Sequence, residues 1–362
     1  MNDPQPAGWG ILRMAFTQSL RWWDLRVLTG SGIIKPGARQ EVITPTTQSE
    51  PAFQRFCMRK SVIFLTIVML AFLVLAPLTR MGSAQSGKGT TSGRRTMTLN
   101  VIARAPEGKQ VTKEDFDLYD GGVSQEIESF SRLDTGSRLV LLVDNSANLK
   151  VEAAALQKAV EAIVNELYQD DQMMVVGYNE EADILVDMTP DLGKLQASTA
   201  KLIRKGSPSL YDALIAVADA FAGQASSGIE KRAIILVSDG YDSESKQKFD
   251  DALRTLQESN IVLYTLQVSD RTRGALVRDK PKPPACIEQL TVGTGGAAYP
   301  FDKAADAAKT ISDDLRKNWY RLVYSPSGIN TLNMRRLLIM SHSPNIEFRT
   351  KGSHPAKYHR SF

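Results

Sequence analysis

Asp144 and Asp239 are the residues of this sequence best placed to do chemistry, because each follows an apolar run and leads into small polar residues. The first run is Leu139-Val140-Leu141-Leu142-Val143, continued by Asp144-Asn145-Ser146-Ala147-Asn148. The second is Ala233-Ile234-Ile235-Leu236-Val237, continued by Ser238-Asp239-Gly240-Tyr241-Asp242-Ser243. Two carboxylates brought together repel unless a cation or hydrogen-bond donors hold them. Carboxylate, hydroxyl and amide oxygens together suit a hard cation, so the expectation is an oxygen-built metal site. The competing reading is that Asp144 and Ser146 cap the following helix. Asp212, Asp242 and Ser243 read as capping and turn residues.

Apolar runs of this length, bounded by turn formers, suit strands covered on both faces of a parallel sheet. Ligands in such sheets bind beyond the carboxyl ends of strands, where the strand order reverses. The surrounding pattern agrees with that picture. Leu149, Ala153, Leu156, Val160, Ile163, Val164 and Leu167 recur at helical spacing. Met173–Tyr178 reads as a buried strand, Ile184–Val186 as a short one, and Ile261–Val268 as a further strand. Helices are expected through Leu192–Ile203, Leu210–Phe221, Phe249–Leu256 and Lys303–Asn318. The fold class is therefore α/β, a doubly wound, mostly parallel sheet flanked by helices.

That domain, placed at 136–318, stands between two β segments, 96–135 and 319–352, with a tail at 353–362. Neither β segment can bury a sufficient core alone. The expectation is that the two complete one small β-sandwich, with the α/β domain inserted between its halves. Residues 270–285, charged and rich in proline, read as a solvated loop. Cys286 reads as a buried small hydrophobe, and there is no Cys-His cluster with zinc spacing.

The chain of 362 residues carries a net charge of +4. Residues 1–60, with eight Lys/Arg against four Asp/Glu, account for all of it. A nucleic-acid binder would carry its basic residues on the folded core, so that class is set aside. Met58-Arg59-Lys60-Ser61, an apolar stretch from Val62 to Ala76 and Gly82-Ser83-Ala84 describe a secretory signal at 58–84. Left uncleaved, residues 61–79 would be a signal anchor and the only membrane contact. With translation starting at Met58, residues 1–57 would be an over-extended or disordered extension. Residues 85–95 read as a flexible linker. The protein is expected to be exported: periplasmic, secreted or anchored to the inner membrane.

Enzyme classes find little support. The histidines, His342, His354 and His359, all follow the α/β domain, which excludes a Ser-His-Asp triad within it. No strand is followed by a phosphate-binding or dinucleotide-binding glycine motif. A phosphotransferase with Asp144 as nucleophile is the residual enzymatic reading.

Leu139–Asn148 and Leu236–Ser243 resemble a von Willebrand factor type A domain with its metal-ion-dependent adhesion site. The wider chain is similar to the von Willebrand factor A-related proteins typical of Acidobacteria. The stretches that carry this are Glu114-Asp115-Phe116, Asp120-Gly121-Gly122, Leu210-Tyr211-Asp212-Ala213-Leu214, Thr294-Gly295-Gly296 and Tyr320–Pro326, so the likeness covers about 70% of the chain. The resemblance implies that Asp144, Ser146 and Asp239 ligate a divalent cation, Mg²⁺ or alternatively Ca²⁺ or Mn²⁺. Asn148 stands at the family's second serine. Pro208 stands at its threonine, so that ligand is lost unless Ser207 or Ser209 substitutes. The implied function is a non-enzymatic binding or adhesion protein of the cell envelope, engaging a partner's carboxylate through the cation. The alternative is a metal-free structural or assembly protein whose loop rim contacts a protein partner directly.

Overall fold

The computed structural model describes residues 96–223, 231–274 and 280–355. The expected extension at 1–57, signal at 58–84, linker at 85–95 and the end of the tail lie outside the described residues. Four strands open the described chain: β1 (Met97–Arg104), β2 (Phe116–Asp120), β3 (Val123–Gln125) and β4 (Ile127–Arg132). The α/β domain follows with strands β5 (Ser137–Asp144), β6 (Gln172–Tyr178), β7 (Ala182–Thr189), β8 (Lys231–Ser238), β9 (Val262–Gln267) and β10 (Ala298–Pro300). Its helices are α1 (Ala153–Asn165), α2 (Leu192–Gln196), α3 (Leu210–Gly223), α4 (Phe249–Glu258), α5 (Pro283–Thr294) and α6 (Ala304–Lys317). Strands β11 (Trp319–Tyr324), β12 (Arg335–Ser341), β13 (Glu347–Thr350) and β14 (Ser353–His354) close it.

The six strands of the α/β domain run in the order β10-β9-β8-β5-β6-β7, all parallel except β7. Alternation along the strands explains why both faces are covered. Leu139, Leu141 and Val143 of β5, with Ala233, Ile235 and Val237 of β8, meet α1 and α6 on one face. Val140 and Leu142, with Ile234 and Leu236, meet α3, α4 and α5 on the other. This is the doubly wound α/β fold expected from the sequence. Strand order reverses between β5 and β8, which puts the ends carrying Asp144 and Asp239 side by side.

The two β segments interleave. One sheet has the order β13-β1-β11-β4 and the other β14-β12-β2-β3, so each mixes strands from both ends of the chain. Their facing sides share one core of Leu99, Val101, Phe116, Leu118, Leu322, Tyr324 and Leu337. Asp314 of α6, fully buried, fixes the two parts to each other. It accepts from Arg104 at 2.7 Å and Arg349 at 2.5 Å on the sandwich strands, and from the Tyr264 hydroxyl at 3.1 Å on β9.

Three local expectations are corrected. The helix through Leu192–Ile203 ends at Gln196 and continues as a short 3₁₀ helix, Ala197–Lys201. The Ser198 and Thr199 hydroxyls bond back to the carbonyls of Leu195 and Gln196, a local competitor of helix propagation. The loop expected at 270–285 gives way to α5 at Pro283, because proline fits the first helical turn and Cys286, Ile287 and Leu290 supply a buried face. The tail expected from 353 begins with β14, where His354 is buried and bonds the Tyr324 hydroxyl at 2.8 Å.

Candidate functional site

Asp144 ends β5 and is 1% exposed, while Asp239 follows β8 at 0%. Asp144 Oδ1 accepts from the backbone N–H of Ser146 at 2.9 Å and from the Ser146 hydroxyl. The carboxylate thus closes its own loop and does not cap α1, whose first turn begins beyond Glu152 with no side-chain cap. The loop is then strapped across the sheet edge. Asn145 N–H donates to Tyr178 O at 2.7 Å, Ala147 N–H to Gly206 O at 3.1 Å and Lys205 N–H to Asn145 O at 3.1 Å.

Asp239 is held from its own side. Its Oδ1 accepts from Tyr241 N–H at 3.1 Å, and Ser238 Oγ accepts from Gly240 N–H at 2.9 Å and from the Tyr178 hydroxyl at 3.0 Å. Gly240 has a φ of +83°, and a Cβ there would meet the Pro283 carbonyl oxygen at 2.4 Å. Glycine is therefore required both for the turn and for the approach of α5.

Between the two carboxylates lies Arg271, from the loop after β9. Its Nη2 donates to Asp144 Oδ2 and, at 2.9 Å, to Asp239 Oδ1. Its Nε donates to Asp239 Oδ2 at 2.7 Å and its Nη1 to Ser146 Oγ at 2.7 Å. The backbone N–H of Arg271 reaches Asp239 Oδ2 as well, at 3.0 Å. The arginine side chain is 8% exposed, and its guanidinium carbon lies 5.5 Å from the Tyr241 ring centroid. Burial pulls this guanidinium down, but its hydrogen bonds and attraction to Asp239 and Asp144 outweigh that and raise its pKa. Burial pushes the Asp144 carboxyl up, against the pull of Arg271 and the Ser146 bonds.

The sequence-derived ligands therefore divide. Asp144, Ser146 and Asp239 converge as expected, but on a guanidinium. Asn148 is exposed, Ser207 is half-buried, and Ser209 is buried with its N–H on Asn179 O at 2.7 Å. None of these three takes part in the hydrogen bonds that Arg271 makes to Asp144, Ser146 and Asp239. Asp212 serves a neighbouring loop, accepting from Lys246 and Gln247 N–H at 3.0 and 2.9 Å. Asp242 pairs with Lys280 at 2.7 Å and accepts from Tyr211 N–H at the start of α3. A divalent cation does not fit this arrangement, since Asp144 Oδ2, Ser146 Oγ and both Asp239 oxygens already face a fixed positive charge. Among the described residues no group of three or more His, Cys, Asp or Glu is placed to hold a metal. Arg271 escaped the sequence reading because it sits in a charged loop that looks solvated. The available signal was its position, just past the strand next to β8.

The sequence model of the von Willebrand factor type A domain matches residues 139–241. No curated protein matches the chain. Among solved structures, an aerotolerance-related membrane protein from Bacteroides fragilis is 16% identical, with 50% of this chain and 100% of that one covered and a TM-score of 0.41. BatB, a conserved hypothetical protein from Bacteroides thetaiotaomicron, is 17% identical over 50% and 98% of the two chains, TM-score 0.40. A von Willebrand factor type A protein from Catenulispora acidiphila is 11% identical over 70% and 76%, TM-score 0.43. The matched segment starts in β5 and ends just past Asp239, enclosing both carboxylates and the reversal of strand order between them. The chain carries a von Willebrand factor type A domain.

Proposed function

We propose that the chain is a non-enzymatic binding module of the cell envelope that engages a protein partner through the loops at the carboxyl edge of its six-stranded sheet. The observation that carries this reading is the convergence of loops from β5, β6, β8 and β9 on one rim, cross-bonded into a fixed surface. Exposed side chains on that rim, Asn148, Glu180, Lys205, Glu244 and Arg273, offer polar contacts of both signs. Direct contact is favoured over a bridging cation, because Arg271 already engages the oxygens that a bridge would use. Asp144, the carboxylate a phosphotransferase would need, is committed to Arg271 and Ser146. The envelope location rests on the signal-like segment at 58–84. Among the described residues no helix is long and apolar enough to cross a membrane.

Affinity capture from envelope extract tests the proposal, with rim variants Asn148→Arg and Glu244→Arg set against Gln169→Arg at the opposite edge. Capture that survives chelator, fails in the rim variants and persists in the control is the expected result. Capture lost with chelator would favour the cation-bridged reading, and capture indifferent to the rim would defeat both.

A further inference from the structure

The loop that delivers Arg271 is built to hold it in place. Asp270 Oδ1 accepts from the Thr272 N–H and hydroxyl, both at 2.7 Å, and its Oδ2 from Gly274 N–H at 3.1 Å. Lys150 donates to the Asp270 carbonyl at 3.4 Å, and Val268 N–H binds Ser238 O at 3.0 Å. The guanidinium arrives with its fork already aimed at two carboxylates and a hydroxyl. Four of its five N–H groups are used there, a match that a planar, permanently charged group makes better than an ammonium. Two buried carboxylates this close need a counter-charge, and a tethered one is present at a high effective concentration whatever the surrounding ions.

We infer that Arg271 is the built-in cation of this site: it takes the place of a divalent ion between Asp144 and Asp239, and its removal opens a divalent-cation site. The unaltered domain is then indifferent to metal at this edge, and a single side chain separates it from a metal-dependent one. This concerns the ion balance of the site and holds whether or not a partner docks on the rim.

Thermal unfolding and direct Mn²⁺ titration of the full chain, with wild type beside Arg271→Ala, Arg271→Lys and Arg271→Ala/Asp239→Asn, provide the test. Wild type is expected to bind no Mn²⁺ at this site and to unfold at the same temperature in chelator and in millimolar Mg²⁺, Ca²⁺ or Mn²⁺. Arg271→Ala is expected to unfold several degrees lower and to recover with a saturable dependence on Mn²⁺. Arg271→Lys, which keeps a cation, should show little of that recovery, and the double variant none. If Arg271→Ala is unfolded without added ions, metal-dependent refolding is the equivalent supporting result. Asp239-dependent Mn²⁺ binding by wild type, or an Arg271→Ala protein that no cation stabilises, overturns the inference.

Discussion

Asp239 is the side chain on which the rim cluster turns, since both its oxygens serve Arg271 as well as the backbone. Asp239→Ala leaves a largely buried guanidinium with Asp144 as its remaining carboxylate. The loss is expected to approach, without exceeding, the roughly 3–5 kcal/mol of breaking a buried pair from one side. Urea unfolding should show that loss. Asp144→Asn should cost less, because the amide keeps an acceptor for Ser146 N–H and burial already disfavours the charged carboxylate. Asp144, Ser146 and Asp239 are legible in the sequence because an apolar strand ending in a carboxylate is a local pattern. Arg271 is not, because it lies 32 residues beyond Asp239 and meets it only through the pairing of β8 with β9. Spacing could name the acceptors of this site but not their donor.

The strands of the α/β domain were the readable elements, since burial on both faces leaves unbroken apolar runs. Helix α5 was hidden, because Lys280-Pro281-Lys282-Pro283-Pro284 looks like a loop, and proline suits a first helical turn only where a helix-forming stretch such as Ala285–Leu290 continues it. That helix matters to the site through Gly240, whose turn lies under the Pro283 carbonyl. Gly240→Ala must hold a side chain at positive φ and push α5 outward. A loss of about 1–3 kcal/mol is expected by thermal unfolding. The same variant should weaken the Arg271 cluster, since Asp239 precedes the glycine directly. Wild-type stability in Gly240→Ala would mean that α5 yields easily.

Across the molecule, the sandwich carries a buried polar chain that links stability to pH. Tyr324 donates to Asp120 at 2.7 Å, Arg335 donates to Asp120 at 2.8 Å, and His354 meets the Tyr324 oxygen. With the tyrosine proton committed to Asp120, the His354 ring nitrogen is the donor in the last bond. Burial, aided by the charge of Lys351, lowers the His354 pKa from 6.5 to about 3. The folded state therefore keeps His354 neutral while the unfolded chain takes up a proton below pH 6.5. Stability should fall as pH drops from 6.5 toward about 3, by up to about 1.4 kcal/mol per unit from this residue. His354→Gln should flatten that part of the urea-midpoint profile, and an unchanged profile would remove His354 as its source. The pairing of the two β segments was legible as a need, since neither could bury a core alone, but their register was not. Interleaving also sets an order of events during synthesis. In the described residues β1 pairs only with β11 and β13, and Asp120 and Arg335 lie 215 residues apart. At about 5–20 residues per second, a ribosome needs roughly 10–40 s to cover that distance. Through that interval β1 and β4 lack β11, and β2 has only the short β3 beside it, while the α/β domain gathers its own sheet. Nascent chains stalled before Trp319 should thus leave residues 97–132 open to protease, so the earliest-made of the described strands are among the last to be fully paired.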